Sequence, residues 1–240
     1  MNHSKSILKM AVLAMLVALG VVISPILRFE GMCPMAHFIN IVCSVLLGPW
    51  YSLLSATLIG IIRMVLMGIP PLALTGAVFG AFLSGVFYRA SKGNILFAVL
   101  GEIIGTGLIG AIVSYPVMTY LWGRDGLSWL FYVPSFTCGT LIGGSIAFVF
   151  LKKLSKAGVL ADFQNRLMSK SYNDNSGIVG NAASIAALGV ICFLVIEILT
   201  DIFEIQSPVW SYLSWGALVF FIAAALLYFI TKKAKKAVEK

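Results

Sequence analysis

Charge is what this 240-residue chain has least of: 11% of its residues are Asp, Glu, Lys or Arg, against 60% hydrophobic, and the mean hydropathy is +1.00. A water-soluble domain of this length needs far more polar surface, so the composition excludes one and defines a polytopic membrane protein. Cysteine is scarce as well. The four present, Cys33, Cys43, Cys138 and Cys192, have neither metal-ligand spacing nor the density of a disulfide framework. Three of them lie in apolar runs, where they read as small buried hydrophobes. Also missing are a Gly-x-x-x-x-Gly-Lys-Ser/Thr loop, a His-Glu-x-x-His pair, a Gly-x-Ser-x-Gly elbow and an aspartate-rich metal box. The chain therefore has no recognised means of hydrolysing ATP and calls for no cofactor or metal; it is not expected to be an enzyme. Its net charge of +8 comes without a basic patch interleaved with aromatics. That excludes nucleic acid as a partner and leaves membrane topology and anionic lipid as the meaning of the charge.

What the chain has in abundance is apolar segments near the roughly 20 residues that a bilayer crossing needs. They run over 7–26, 38–47, 50–67, 72–88, 95–121 and 131–151, then over 182–199 and 209–231 after the polar stretch "LADFQNRLMSKSYNDNSG" at 160–177. The first follows Lys5 and Lys9 as a signal peptide would, but it runs into Arg28 and Glu30 without a small-residue cleavage site and is kept as a helix. The second is short, which predicts a tilted, buried helix or one that ends inside a pocket. The expected fold is all-α: a six-helix membrane domain over 1–156, a polar, amphipathic cytoplasmic linker over 157–178, and an accessory two-helix hairpin with a basic tail over 179–240. In the linker, Leu160, Phe163 and Leu167 at helical spacing beside Lys156, Arg166 and Lys170 suit a helix lying on the inner membrane surface.

All but three of the 17 Lys and Arg residues fall on one side when both termini are placed in the cytoplasm, the orientation that the positive-inside rule requires of a cell-membrane protein. The exceptions are Arg28, Arg63 and Arg124. Arg63 and Glu102 are the ionisable residues deepest in the spans, and each costs about 2.5 to 3.5 kcal/mol at a bilayer centre on insertion scales, so each calls for an interior pocket or a partner. The plain alternatives are snorkelling of Arg63 to the outer interface and a structural hydrogen bond from Glu102 to a neighbouring helix. At 1.5 Å per residue, Arg63 stands about 20 Å above Trp50 and Glu102 about 10 Å above Ile95, so no direct salt bridge between them is expected. His37 and Asn40 share a face at the outer start of the second span, and Ser44 continues it one turn deeper. Thr106 lies one turn above Glu102, Tyr115 stands near the outer end of the same helix, and Pro116 predicts a kink there. Trp122, Trp129 and Tyr132 around the following loop read as interfacial anchors. Gly76 with Gly80, Gly101 with Gly105, and Gly139 with Gly143 read as packing seams between helices.

Two blocks, "HFINIVCSVLLGPWYSLLSATLIGIIR" at 37–63 and "GEIIGTGLIGAIVSYPV" at 101–117, resemble the ThiW family. Its members are substrate-binding S components of energy-coupling factor (ECF) transporters, assigned to the thiazole precursor of thiamine. The resemblance covers about residues 7 to 152. It implies capture of hydroxyethylthiazole, with His37, Asn40, Arg63, Glu102, Thr106 and Tyr115 facing the substrate. It also implies assembly with a transmembrane coupling subunit and two ATPase subunits in the lipid bilayer. Ala14 and Ala18, one helical turn apart on the first span beside Ala11, would form the docking face for the coupling subunit, whereas packing inside the bundle explains them equally simply. Around the fourth span the chain has "MGIPPLALTGAVFGAF" where the family pattern carries a Gly-Thr pair and a Phe-Pro-Gly-Ser run, which bears on the substrate more than on the class. A different vitamin or precursor remains the main alternative. The rival class is an integral membrane enzyme with Glu102 and His37 as an acid/base pair, and their expected depths count against it.

Overall fold

The computed structural model describes residues 3–26, 28, 32–167, 171–172, 177–205 and 207–238. Glu30, Lys170, Lys240 and parts of the 157–178 segment lie outside the described residues. The protein is an all-α polytopic membrane protein with no strand among the described residues. Seven helices are long and apolar enough to cross a membrane, and an eighth, Pro34–Leu47, is apolar but shorter. The chain divides into two compact units, Met1–Asn175 and Ser176–Lys240.

The first unit opens with α1 (His3–Ile23), α2 (Pro34–Leu47), α3 (Pro49–Met67) and α4 (Leu72–Ala90). Proline at the first turn starts both α2 and α3, where its missing N–H costs nothing. Between them Gly48 adopts φ +92°, and the Arg89 guanidinium lies where a Cβ would project. The "GPW" break in the sequence is thus a sharp reversal that only glycine accommodates. The 14-residue α2 buries every residue except Met35 and Phe38, and α1, α3 and α4 pack against it.

The fifth span is not one regular helix. It passes from α5 (Ile95–Glu102) into a π-helical segment (Ile103–Gly110), then α6 (Ala111–Pro116) and a second π-helical stretch (Val117–Leu121). Pro116 sits at the junction of the last two, so the irregularity expected there takes the form of a wider helical turn. The unit is completed by α7 (Val133–Lys156) and the short α8 (Val159–Leu167).

The three glycine pairs do act as seams. A Cβ on Gly105 would stand 2.6 Å from Gly80 Cα, one on Gly101 would stand 2.5 Å from the Leu83 carbonyl oxygen, and one on Gly143 would overlap the Pro34 carbonyl oxygen. In lipid, where burial gains little between helices, this close approach holds the bundle together through van der Waals contact.

At the end of the bundle where α8 lies, Leu160, Gln164 and Leu167 are buried. The Gln164 amide donates to the Val45 carbonyl and to the Tyr88 hydroxyl, each at 2.9 Å, while its oxygen accepts from the Tyr172 backbone N–H at 2.9 Å. The apolar face of this helix therefore covers protein, and Phe163, expected on the same face, is 44% exposed. The reason is Gln164, a fully buried amide whose partners all lie in the first unit.

The second unit is the hairpin of α9 (Ile178–Ile202) and α10 (Pro208–Val238). Gly189 receives Phe221, Phe193 meets Trp215 at 5.0 Å between centroids, and the Asn181 amide donates to the Tyr228 hydroxyl at 3.0 Å. Glu197 accepts a hydrogen bond from Ser214 at 2.5 Å and, with Thr200, Asp201, Glu204 and Ile205, lines an open cleft near the turn.

Candidate functional site

Glu102 closes α5, immediately before the π-helical stretch, and is 0% exposed. One of its carboxylate oxygens, Oε1, collects three hydrogen bonds: His37 Nδ1 at 2.9 Å, Asn40 Nδ2 at 2.9 Å and Thr106 Oγ1 at 3.3 Å. With Asn40 and Thr106 donating to this oxygen, the His37 tautomer that donates to it as well carries its hydrogen on Nδ1. Asn40 Nδ2 also reaches the Ala77 carbonyl at 3.4 Å, and the Asn40 backbone carbonyl accepts from Ser52 Oγ at 2.9 Å. The cluster thus ties α2, α3, α4 and the fifth span together. Deeper on the same face of α2, Ser44 meets Ser84 of α4 at 2.7 Å.

Gly80 and Gly139 make room for this cluster. A Cβ on Gly80 would overlap the Thr106 hydroxyl and stand 2.9 Å from Glu102 Oε2, and one on Gly139 would stand 3.4 Å from His37 Nε2. These positions read from sequence as packing seams alone; they are also walls of the site.

The direct contact between His37 and Glu102 corrects the depth estimate, which placed Glu102 about 10 Å above the inner side and His37 near the outer surface. With 14 residues, α2 is about 21 Å long, roughly 9 Å short of a hydrocarbon core of about 30 Å. Its far end is joined to the start of α3 through Gly48, so His37, counted from that end, stands only about 15 Å up, within side-chain reach of Glu102. Depth therefore does not separate this pair.

Beside the cluster lies a cavity of about 540 Å³. His37 and Thr106 reach it from the cluster, and Arg63, Arg28 and Arg124 line it together with Cys33, Ile69, Pro70, Leu72, Ala73, Ala77 and Phe136. Arg63 is only 3% exposed, and its Nε has no hydrogen-bond partner. It faces this cavity and does not snorkel. A few polar groups on a mainly apolar wall is the usual make-up of a small-molecule site. Among the described residues no group of three or more His, Cys, Asp or Glu is placed to hold a metal ion.

Of the residues expected to face substrate, His37, Arg63 and Thr106 line the cavity, while Asn40 and Glu102 stand behind them in the hydrogen-bonded cluster. Tyr115 does not line it; its ring packs on Trp129 at 4.5 Å. Tyr132, expected at the membrane interface, is buried beside Phe131 and Phe136, whereas Trp122 and Trp129 are exposed. Arg28 and Arg124 were noted in the sequence only as exceptions to the charge rule, and that exception was the available signal for them. Ala11, Ala14 and Ala18 are exposed, and α1 turns Leu13, Leu16, Val17 and Gly20 inward.

Fold and cavity together define a class: an all-α multi-pass membrane protein enclosing a small-molecule-sized site at one end of a helix bundle. The family model described as "Thiamine-precursor transporter protein (ThiW)" matches residues 10–157, and the chain belongs to that family of transporters. No curated protein and no solved structure matches the chain.

Proposed function

We propose that this chain is the substrate-capturing S component of an ECF-type importer and takes up hydroxyethylthiazole or a near relative from the outer side of the cell membrane. In this reading it catalyses no reaction, both termini are cytoplasmic, and two separate ATPase subunits drive a coupling subunit. The observation that carries the reading is the cavity: its size suits a single small ring, its wall is mainly apolar, and His37, Arg63 and Thr106 supply the few polar contacts. The exposed Ala14 and Ala18 support α1 as the coupling face, because small residues turned away from their own bundle let a foreign helix approach. Glu102 acts as a positioning residue, fixing His37 and Asn40 from behind.

A second reading, capture of a different vitamin or precursor, is favoured by one observation. The segment that departs from the family pattern supplies Ile69, Pro70, Leu72, Ala73, Gly76 and Ala77 to the cavity wall, where the shape of a ring is read. The test of both is ligand analysis: mass spectrometry of the small molecule released from the purified protein. A thiazole supports the first reading, and a different vitamin supports the second while leaving the transporter class intact.

A further inference from the structure

We infer that the ligand of this cavity carries an anionic group, a phosphate monoester or a carboxylate, gripped by Arg63 with Arg28 beside it on the cavity wall. This rests on the cavity being the substrate site. The lysines lie elsewhere in the chain, and the cavity wall contains none; its cations are the three arginines that the charge rule left over. Guanidinium is the cation whose planar fork of donors matches the paired oxygens of carboxylate and phosphate.

Arg63 is the decisive member. It is 97% buried by the same measure that gives it 3% exposure, its Nε is unpartnered, and no ion pair joins it to an acid among the described residues. A buried guanidinium without an acceptor is costly and is retained where something else brings the acceptor. Glu102 does not fill that role: its Oε1 is taken by His37, Asn40 and Thr106, its Oε2 has no hydrogen-bond partner and so does not meet the Arg63 guanidinium, and it is not part of the cavity wall. A neutral ring bearing one hydroxyl offers Arg63 an acceptor but no negative charge to offset its buried guanidinium. The apolar remainder, with Ile69, Leu72 and Phe136, suits the ring itself.

The experiment is calorimetry on the purified full chain with three probes: hydroxyethylthiazole, its phosphate monoester, and the thiazole in which a carboxymethyl group replaces hydroxyethyl. At least one anionic probe is expected to bind about tenfold or more tightly than the neutral alcohol, the scale of one added charge-assisted contact. Arg63→Gln should abolish that preference. Because Arg63 is buried and its variant could misfold, Arg28→Gln, at an exposed position, serves as the second reading and should cut the preference severalfold. Neutral alcohol binding as tightly as both anions would overturn the inference while leaving thiazole capture standing. An anionic preference unchanged in both variants would overturn the role of the arginines, and failure of all three probes to bind would overturn this inference and the thiazole reading together.

Discussion

The two units of the chain dispose of their polar side chains in opposite ways. In the first, the fifth span turns Glu102, Thr106 and Ser114 into the bundle; in the second, α10 leaves Tyr212, Trp215 and Phe220 exposed. Both contain an acid with a hydroxyl partner, the fully buried Glu102 with Thr106 and the half-buried Glu197 with Ser214. Only the first adds a histidine, an amide and a neighbouring arginine-lined cavity. A single acid held by a hydroxyl is a way to hold two helices together, whereas an acid that orients several donors beside a cavity prepares a site.

The sharpest way to break this contrast is to remove the two acids in turn. Glu102→Ala strips His37, Asn40 and Thr106 of their common acceptor, at roughly 1–3 kcal/mol for each buried group left unpaired, and is expected to lower ligand affinity about a hundredfold or more. Glu197→Ala should leave affinity unchanged; calorimetry on both variants checks the pair. Next in size is Gly80→Ala, whose new methyl would overlap the Thr106 hydroxyl and crowd Glu102. An affinity loss of about tenfold is expected, the equivalent of ~1.4 kcal/mol. Its counterpart Gly216→Ala meets open space and should change nothing measurable.

Gln164→Ala leaves the Val45 carbonyl and the Tyr88 hydroxyl without their shared donor. It should lower thermal stability by an amount corresponding to about 1–3 kcal/mol, with at most a small change in affinity, since the cavity lies at the other end of the bundle. For the same reason a chain stopped after Lys156 loses α8 and is expected to be less stable. A chain stopped after residue 175 keeps the first unit whole and is proposed to bind ligand as the full chain does; titration of the two truncations separates these outcomes. The smallest effect on affinity, none, is expected for Ala14→Trp and Ala18→Trp at exposed positions. Their effect should appear only as lost co-purification with the coupling subunit, and variants that lost affinity yet kept the partner would place this face inside the binding unit instead.

Much of this was legible in the sequence because lipid makes polarity expensive. Hydropathy marked the spans, and His37, Asn40, Arg63, Glu102 and Thr106 stood out as polar residues inside them; the fold brings these five to one end of the bundle. What stayed hidden depended on geometry between helices. Depth counted along each span assumed that every helix crosses fully, so the short α2 misplaced His37 relative to Glu102. Nothing in "GEIIGTGLIG" fixes a π-helical register, although its four glycines remove the side chains that would resist the wider turn. Tyr115 lies on the expected helix but off the expected face, because an irregular span no longer keeps the 3.6-residue period by which faces are assigned. Arg28 and Arg124 lie in connecting segments, where no periodicity indicates what they approach.

The central claim, that the first unit's cavity captures a thiazole-type precursor, is tested most directly by titrating hydroxyethylthiazole, thiamine and riboflavin into the full chain and into its Glu102→Ala variant. The account predicts saturable one-site binding of the thiazole to the parent chain, its loss in the variant, and no competing tight binding of riboflavin. Tight binding of another vitamin with none of the thiazole, or thiazole binding that survives Glu102→Ala undiminished, would contradict it.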